Sequence, residues 1–350
     1  MPPVPTEARV PLNILTGFLG SGKTTVLRHI LRCPEFADTA VLINEFGEVG
    51  LDHLLVGRLD ETPVLLPSGC ICCSIRGDLS RAVRDLFSRR QRGLLGVFRR
   101  VVVETTGLAD PTPILATITA DLVIRRNVRP GNIVATVDAL HAEAGLERHR
   151  ELLKQAAIAD RLIVTKTDLA APAAVARLRE VLHRLNPSAA IMEAVRGAVD
   201  PEFLIRQDAH DPETRLAEMR QWMANEAPEP PGAQRHGAIT SFCVHIAGPL
   251  DWNLFGLWFS LLVHRHGAAL LRVKGILEVL GSPTPVAIHA VQHVIHSPEH
   301  LPAWPTEERG SRIVFITDGL AEEKLRRSLQ TFARLAEPAA RPLSRGAAPL

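Results

Sequence analysis

Gly17-Phe-Leu-Gly-Ser-Gly-Lys-Thr24 decides how this chain is read. It is a glycine, four residues and then Gly-Lys-Thr, without a gap. Residues 10–15 ahead of it form a short apolar run that reads as a buried strand. Val26, Leu27, Ile30 and Leu31 behind it recur at helical spacing. Strand, glycine-rich loop and helix in that order make a phosphate cradle. Glycines let backbone N–H groups curl around oxyanions with no Cβ in the way. The helix N-terminus adds the positive end of its dipole. Lys23 is placed to reach the β- and γ-phosphates, and the Thr24 hydroxyl to coordinate Mg²⁺.

Outward from this loop, apolar runs at 39–43, 64–66, 100–103, 133–137 and 162–164 read as further buried strands. Amphipathic helical patterns at 26–31, 79–87 and 173–185 lie between several of them. Interleaved strands and helices predict βαβ units, hence an α/β domain with a mainly parallel sheet covered on both faces. Residues 1–224 are assigned to it. Residues 225–237 are polar, rich in Pro and Gly and without periodicity, which predicts a linker. Beyond it, 238–246, 270–280, 286–295 and 312–316 read as strands, and 252–263 and 322–335 as helices. This predicts a smaller α+β domain over 238–335, and an Ala/Pro/Arg-rich disordered tail over 336–350.

Composition narrows the function. The 350 residues hold 40 basic and 38 acidic side chains, a net +2. That predicts no nucleic-acid partner and no membrane surface, and leaves open only a local patch. Eleven Phe, four Trp and no Tyr give no base-stacking platform. No signal-peptide pattern opens the chain, and no apolar run approaches the ~18 residues of a membrane span. The expected compartment is the cytoplasm.

Two more strand ends carry polar residues suited to a nucleotide. Val101-Val-Val-Glu-Thr-Thr-Gly107 is an apolar strand ending in a carboxylate, with a glycine three residues on. Glu104 there can hold the Mg²⁺ shell or orient attacking water, and the Gly107 N–H can meet a γ-phosphate. Leu162-Ile-Val-Thr-Lys-Thr-Asp168 is similar to the guanine-reading Asn-Lys-x-Asp box of GTPases, with Thr165 in place of Asn. Lys166 and Asp168 are intact. A carboxylate such as Asp168 accepts from N1–H and the 2-amino group of guanine, a donor pair adenine lacks.

Gly69-Cys70-Ile-Cys72-Cys73 is the most unusual segment. Three thiols in four residues can converge on one borderline cation, and thiolates suit Zn²⁺. No second pair exists, so at least one position stays open, as an exchange site requires. A redox pair or inert packing are the other readings, although neighbouring cysteines form strained bridges. Asn44-Glu-Phe-Gly-Glu48 follows the second strand, where a nucleotide-sensing loop would lie. Its acids can ligate a metal or stay solvated.

Taken together, TGFLGSGKTT, NEFGEVGLD, GCICC, VVVETTGLADP, TKTD, RVKGIL and VQHV make the chain similar to the CobW-like family of P-loop GTPases over nearly its whole length. That family includes cobalamin-synthesis proteins, zinc-responsive bacterial relatives and nitrile hydratase activators. The resemblance implies a SIMIBI-class GTPase domain, a CobW C-terminal domain, slow conversion of GTP to GDP, and allocation of Zn²⁺ or Co²⁺ to a client metalloprotein or cofactor-pathway enzyme. Carried onto this sequence, Gly17, Gly20, Ser21, Gly22, Lys23, Thr24 and Thr25 bind phosphate and Mg²⁺. Lys23 and Glu104 serve hydrolysis, Gly107 senses the γ-phosphate, and Lys166 and Asp168 read guanine. Cys70, Cys72 and Cys73 hold the metal, with Glu48 assisting. The long His-rich tract of many members is missing. His289 and His293, four apart, are expected to face the same way and offer a secondary metal site, or to be ordinary surface and partly buried histidines. Lys274 either touches the first domain or a partner, or is solvated. A homodimer is compatible with all of this. A small-molecule kinase would leave the cysteines unexplained, and a non-catalytic zinc buffer or sensor would keep the GTPase fold only as a scaffold.

Overall fold

The computed structural model describes residues 9–43, 64–65, 74–205, 216–217, 219–220, 222–223, 234–236 and 238–336. Its first sheet holds β1 (Val10–Gly17), β2 (Thr39–Ile43), β3 (Val64–Leu65), β4 (Arg100–Glu104), β5 (Val128–Asp138), β6 (Arg161–Thr165) and β7 (Ala190–Ala194). The strand order is β3-β2-β4-β1-β5-β6-β7, with every pair parallel. A parallel sheet buries both faces, which is why its strands read as unbroken apolar runs. All five residues of β6 are buried. The helices of this unit are α1 (Lys23–Ile30), α2 (Ser74–Gln91), α3 (Thr112–Ala120), α4 (Ile124–Asn127), α5 (Ala142–Arg148), α6 (Arg150–Ile158), α7 (Pro172–Leu185) and α8 (Pro201–Ile205). α7 shows why the periodic segments are helical. Proline at its first position fits the fixed φ of a helix start, and Val175, Leu178, Leu182 and Leu185 form its buried stripe.

Two strand readings change here. β5 begins at Val128, five residues before the expected 133, because Pro130 and Gly131 interrupt its apolar pattern. β7 was not expected at all. It is a half-buried edge strand, AIMEA, with little β-branched character.

The second sheet is antiparallel. It holds β8 (Gln234–His236), β9 (Ile239–Ile246), β10 (Leu270–Leu277), β11 (Val286–Val291), β12 (Val294–Ile295) and β14 (Ser311–Asp318), in the order β12-β11-β10-β14-β9-β8. β13 (Glu299–His300) pairs with β11 outside that path. α9 (Trp252–His266) and α10 (Glu322–Ala336) complete it. β8 lies inside the stretch read as linker; residues 225–233 of that stretch and 337–350 of the tail lie outside the described residues. The run 286–295 is not one strand but a hairpin, turned at Gln292, whose φ is 49°.

Both faces of this sheet are apolar. Phe242, Val273, Ile288 and Phe315 pack under Trp258 and Phe259 of α9 and Leu325 of α10. Cys243, Leu271, Ile276, Val314 and Ile316 share one continuous core with Leu152, Ala156 and Leu162 of the first unit. A bulge makes the alternation work. β10 advances from Leu270 to Arg272 while β14 moves only from Thr317 to Ile316, so Leu271 is the extra residue. Arg272 and Lys274 therefore point at the first unit. Arg272 binds the Asp160 carboxylate and donates to the Ile158 carbonyl at 2.5 Å. Burial alone would raise the Asp160 carboxyl; Arg272 and Lys274 outweigh it and hold it below the usual carboxylate range. Lys274, left open between contact and solvent, is thus buried against the first unit.

Candidate nucleotide and metal site

The parallel sheet delivers the nucleotide motifs to one edge, the carboxyl ends of its strands, where ligands of such sheets bind. β1 ends at Gly17, β4 at Glu104, β5 at Asp138 and β6 at Thr165. Gly17, Gly20 and Gly22 have φ of 143°, 70° and 89°. These are conformations that side chains rarely adopt. A Cβ on Gly17 would also meet the Thr136 hydroxyl at 2.3 Å. Ser21 closes the loop from the other side, its hydroxyl 2.6 Å from that of Thr136.

Lys23 folds over the loop and donates to the Gly17 and Phe18 carbonyls at 2.9 and 3.1 Å. The ammonium is thereby parked over the concavity that the phosphates would fill. The Thr24 hydroxyl donates to Glu104 Oε1 at 2.6 Å. Two oxygen donors, one from the first turn of α1 and one from the end of β4, thus meet at one point. Hard oxygen donors of this kind fit Mg²⁺, so Thr24 and Glu104 are the residues that would hold it. Gly107 lies against the loop as well. A Cβ there would meet the Leu19 amide nitrogen at 2.6 Å, so only glycine fits. Its carbonyl, with that of Ala109, accepts from Gln155 Nε2 at 3.2 and 3.0 Å. Thr25 sits at the far side of the loop, its carbonyl 2.7 Å from where a Cβ on Gly197 would stand.

The expected base-reading segment adjoins the loop. The Thr165 hydroxyl donates to the Ser21 carbonyl at 2.7 Å, tying β6 to the P-loop. Lys166 has φ 58° and its ammonium lies 2.5 Å from Asp138 Oδ2. Burial would raise the Asp138 carboxyl, but Lys166 and His141 hold it below its ordinary value. Asp168 is exposed at the mouth of the site.

Sequence reasoning missed Thr136, Asp138 and Gln155. Asp138 had a signal: it ends an apolar strand, as Glu104 does. Gln155 had none, since a glutamine within a helical pattern carries no mark of its target. Cys70, Cys72, Cys73 and Glu48, with the rest of 44–48, lie outside the described residues. Their flanks are described: Ile43 ends β2, Leu65 ends β3 and Ser74 opens α2. The expectation that His289 and His293 share a face is corrected, while the reading of them as ordinary buried and surface histidines fits. The turn at Gln292 separates them, so His289 is buried and His293 exposed. His289 stacks instead on His296, with ring centroids 4.5 Å apart. Among the described residues, no three His, Cys, Asp or Glu side chains are grouped to hold a metal.

Known proteins place this arrangement. The family described as CobW/HypB/UreG, nucleotide-binding domain, matches residues 11–193. The Cobalamin synthesis protein cobW C-terminal domain matches residues 239–333. Zinc chaperone YjiA of Escherichia coli (strain K12) is 33% identical over 317 residues, 91% of this chain and 96% of that protein. Zinc chaperone CobW of Pseudomonas aeruginosa is 29% identical over 365 residues, 94% and 93% of the two chains. The crystal structure of Zn(II)-bound YjiA GTPase from E. coli superposes with a TM-score of 0.71 at 28% identity, covering 93% of this chain and 99% of that one. With a P-loop, a carboxylate-ended switch strand and a second antiparallel domain all in place, the chain belongs to the CobW/HypB/UreG family of P-loop GTPases.

Proposed function

We propose that this protein hydrolyses GTP to GDP and phosphate, binds Zn²⁺ or Co²⁺ through Cys70, Cys72 and Cys73 with Glu48, and hands the metal to a client metalloprotein or cofactor-pathway enzyme in the cytoplasm. The observation that carries this reading is the strand order β3-β2-β4-β1. It sets the strand ends that lead into the cysteine motif, the NEFGE motif, Glu104 and the P-loop side by side on one edge. A shift in Gly107, which has no clearance from Leu19, therefore acts next to the strand ends from which the metal motifs leave.

The division of labour follows from the residues. The P-loop amides and Lys23 bind the phosphates, and Lys23 neutralises charge developing on the leaving oxygens. Glu104 orients the attacking water, and with Thr24 it would hold Mg²⁺, which when bound would supply a Lewis acid for the phosphates. Asp168 selects guanine, and Thr165 fixes its loop to the phosphate loop. Coupling of nucleotide and metal needs only ~1–3 kcal/mol of differential affinity and is reciprocal.

Phosphate release from GTP and ATP, with and without Zn²⁺ and Co²⁺, tests the reading. GTP hydrolysis to water whose nucleotide affinity responds to metal is expected. Transfer to an added acceptor would show a kinase, and neither activity would leave a metal buffer. Lys23→Ala should cost on the order of 3 kcal/mol of transition-state stabilisation, a rate loss above a hundredfold. Cys72→Ser should leave basal GTP hydrolysis intact and remove the response to metal.

A further inference from the structure

The opposite edge of the parallel sheet holds a second concavity. Its volume is about 500 Å³, within the range of small-molecule sites. Among the described residues, five arginines line it, Arg9, Arg90, Arg99, Arg100 and Arg129, and no acidic residue does. They come from the amino-terminal ends of β1, β4 and β5 and from the end of α2. The sequence concentrates charge there through two runs, Arg89-Arg90-Gln91-Arg92 to Arg99-Arg100 and Arg125-Arg126-Asn127-Val128-Arg129. In a chain with net charge +2, this clustering is local. It is the patch that overall charge balance left open.

The guanidinium groups are held in place. Arg90 lies 4.9 Å over the Phe98 ring, and Arg100 lies 4.9 Å over Phe36. Arg129 Nε donates to the Arg9 carbonyl at 3.2 Å. Asp38 is engaged at the rim, 3.2 Å from Arg99 and 3.7 Å from Arg100. Glu299 attracts Arg129, whose pKa burial nevertheless pulls down to about 10, with Arg9 adding repulsion. Burial and Arg99 likewise lower Arg100 against the pull of Asp38. Several positive charges thus converge on a half-enclosed space with Phe36 and Phe98 in its wall. Arg forks suit planar, multiply charged oxyanions.

We infer that this arginine-lined concavity is a binding site for a small, multiply charged oxyanion of the polycarboxylate or polyphosphate class, separate from the nucleotide site. β1 runs eight residues from one edge to the other, so the two sites stand roughly 25 Å apart along a strand rising about 3.3 Å per residue. Arginines gathered from four segments into a cleft favour a small ligand over a flat acidic protein surface.

Citrate and inorganic pyrophosphate serve as probes, titrated calorimetrically at low ionic strength against three forms of the full chain. These are the wild type, Lys23→Ala in the P-loop, and Arg90→Gln/Arg99→Gln at a half-buried and an exposed position, with an unchanged thermal melt as the check on folding. A Glu-rich peptide is the comparison ligand. Citrate should bind the wild type and Lys23→Ala alike, and at least tenfold more weakly to the double arginine variant. Arg129→Gln, if it folds, should abolish binding. For pyrophosphate, one binding event should persist in Lys23→Ala and be lost in the arginine variant. The inference is overturned if Lys23→Ala removes all anion binding, if the arginine variant binds citrate as the wild type does, or if only the peptide binds. Because citrate binding is measured without GTP, failure here leaves the GTPase reading untouched, and failure of GTP hydrolysis leaves this site untouched.

Discussion

Thr165 shows how one side chain can keep a role under a changed identity. Asparagine is the general residue at this position of the guanine box, yet the threonine hydroxyl reaches the Ser21 carbonyl at 2.7 Å. The tie between base loop and phosphate loop is therefore made. In the proposed reading, guanine selection then rests on Asp168, which is exposed. Asp168→Ala is expected to lower the preference for GTP over ATP, and to do so through KM rather than kcat. An inhibition series with GDP and ADP would show it, because a lost pair of hydrogen bonds to a charged acceptor is worth about 1.5–3 kcal/mol per bond. An unchanged GDP-to-ADP ratio would remove Asp168 from the base site. At this scale the strand, glycine-rich loop and helix around the phosphate motif were legible, because their order is written in apolar periodicity and glycine spacing. The pairing of Asp138 with Lys166 was not, because the two stand 28 residues apart in sequence.

Among the elements, α2 and α4 bear most directly on the metal proposal. α2 begins at Ser74, the residue after Cys73. Its Ser80 donates to Asp121 Oδ2 at 2.5 Å, and Arg84 donates to the same oxygen at 2.9 Å. Asp121 Oδ1 accepts from the Val123 and Ile124 amides at 2.8 and 3.1 Å. One carboxylate thus caps α4 and clamps α2. The Ser80 hydrogen bond first, then Arg84 and the two amides, hold the Asp121 carboxyl well below the usual carboxylate range. The sign follows. A depressed carboxyl stabilises the fold above its unfolded pKa of ~3.9, and that contribution disappears as pH falls toward the depressed folded value. Asp121→Ala should cost about 1–2 kcal/mol at pH 7, as for a lost cap, and should flatten the acid limb of a stability-against-pH curve. A thermal melt series from pH 7 to 3 would check both. The sequence read α2 as beginning at 79, and the side-chain clamp was hidden because Ser80 and Asp121 are far apart in the chain.

The hairpin β11–β12 makes the same point about elements. Val286–Val291, apolar but for His289, and Val294–Ile295 are both rich in Val and Ile, so periodicity joins them into one strand. The turn between them rests on Gln292 in a left-handed conformation, without the Gly or Asn that marks such turns. Gln292 also reaches Asp110 Oδ2 at 3.4 Å, so an unsignalled turn touches the segment just past Gly107.

For the whole molecule, the contact between the units is the dominant feature. α6 spans it. Gln155 holds the Gly107 carbonyl, and one turn later the Ile158 carbonyl receives Arg272. Arg272 is fully buried, its side chain 1% exposed. Arg272→Ala should therefore destabilise the protein by about 3–5 kcal/mol, since removing one partner leaves the other buried and uncompensated. Adding Asp160→Ala should restore part of that loss. Chemical denaturation of the two variants would measure it, and equal stabilities would show that the pair carries little. The division into two units was readable from the change of periodicity near residue 238. The close seating of one on the other was not, since Lys274 stood open between contact and solvent and nothing in the sequence marks the bulge that turns Arg272 and Lys274 inward.

Leu271, the added residue in β10, sits at that inward turn. A bulge residue adds no step to the alternation of a strand, because Leu270 and Arg272 pair with the consecutive residues Thr317 and Ile316. Losing Leu271 would therefore leave Arg272 and everything after it on the same faces, whereas losing Val273 would exchange the faces beyond it and drive the ammonium of Lys274 beneath Trp258. Along its paired run β10 has one place where a codon can be lost in register; a codon lost at Val273 instead would turn its buried charge away from the first half of the molecule.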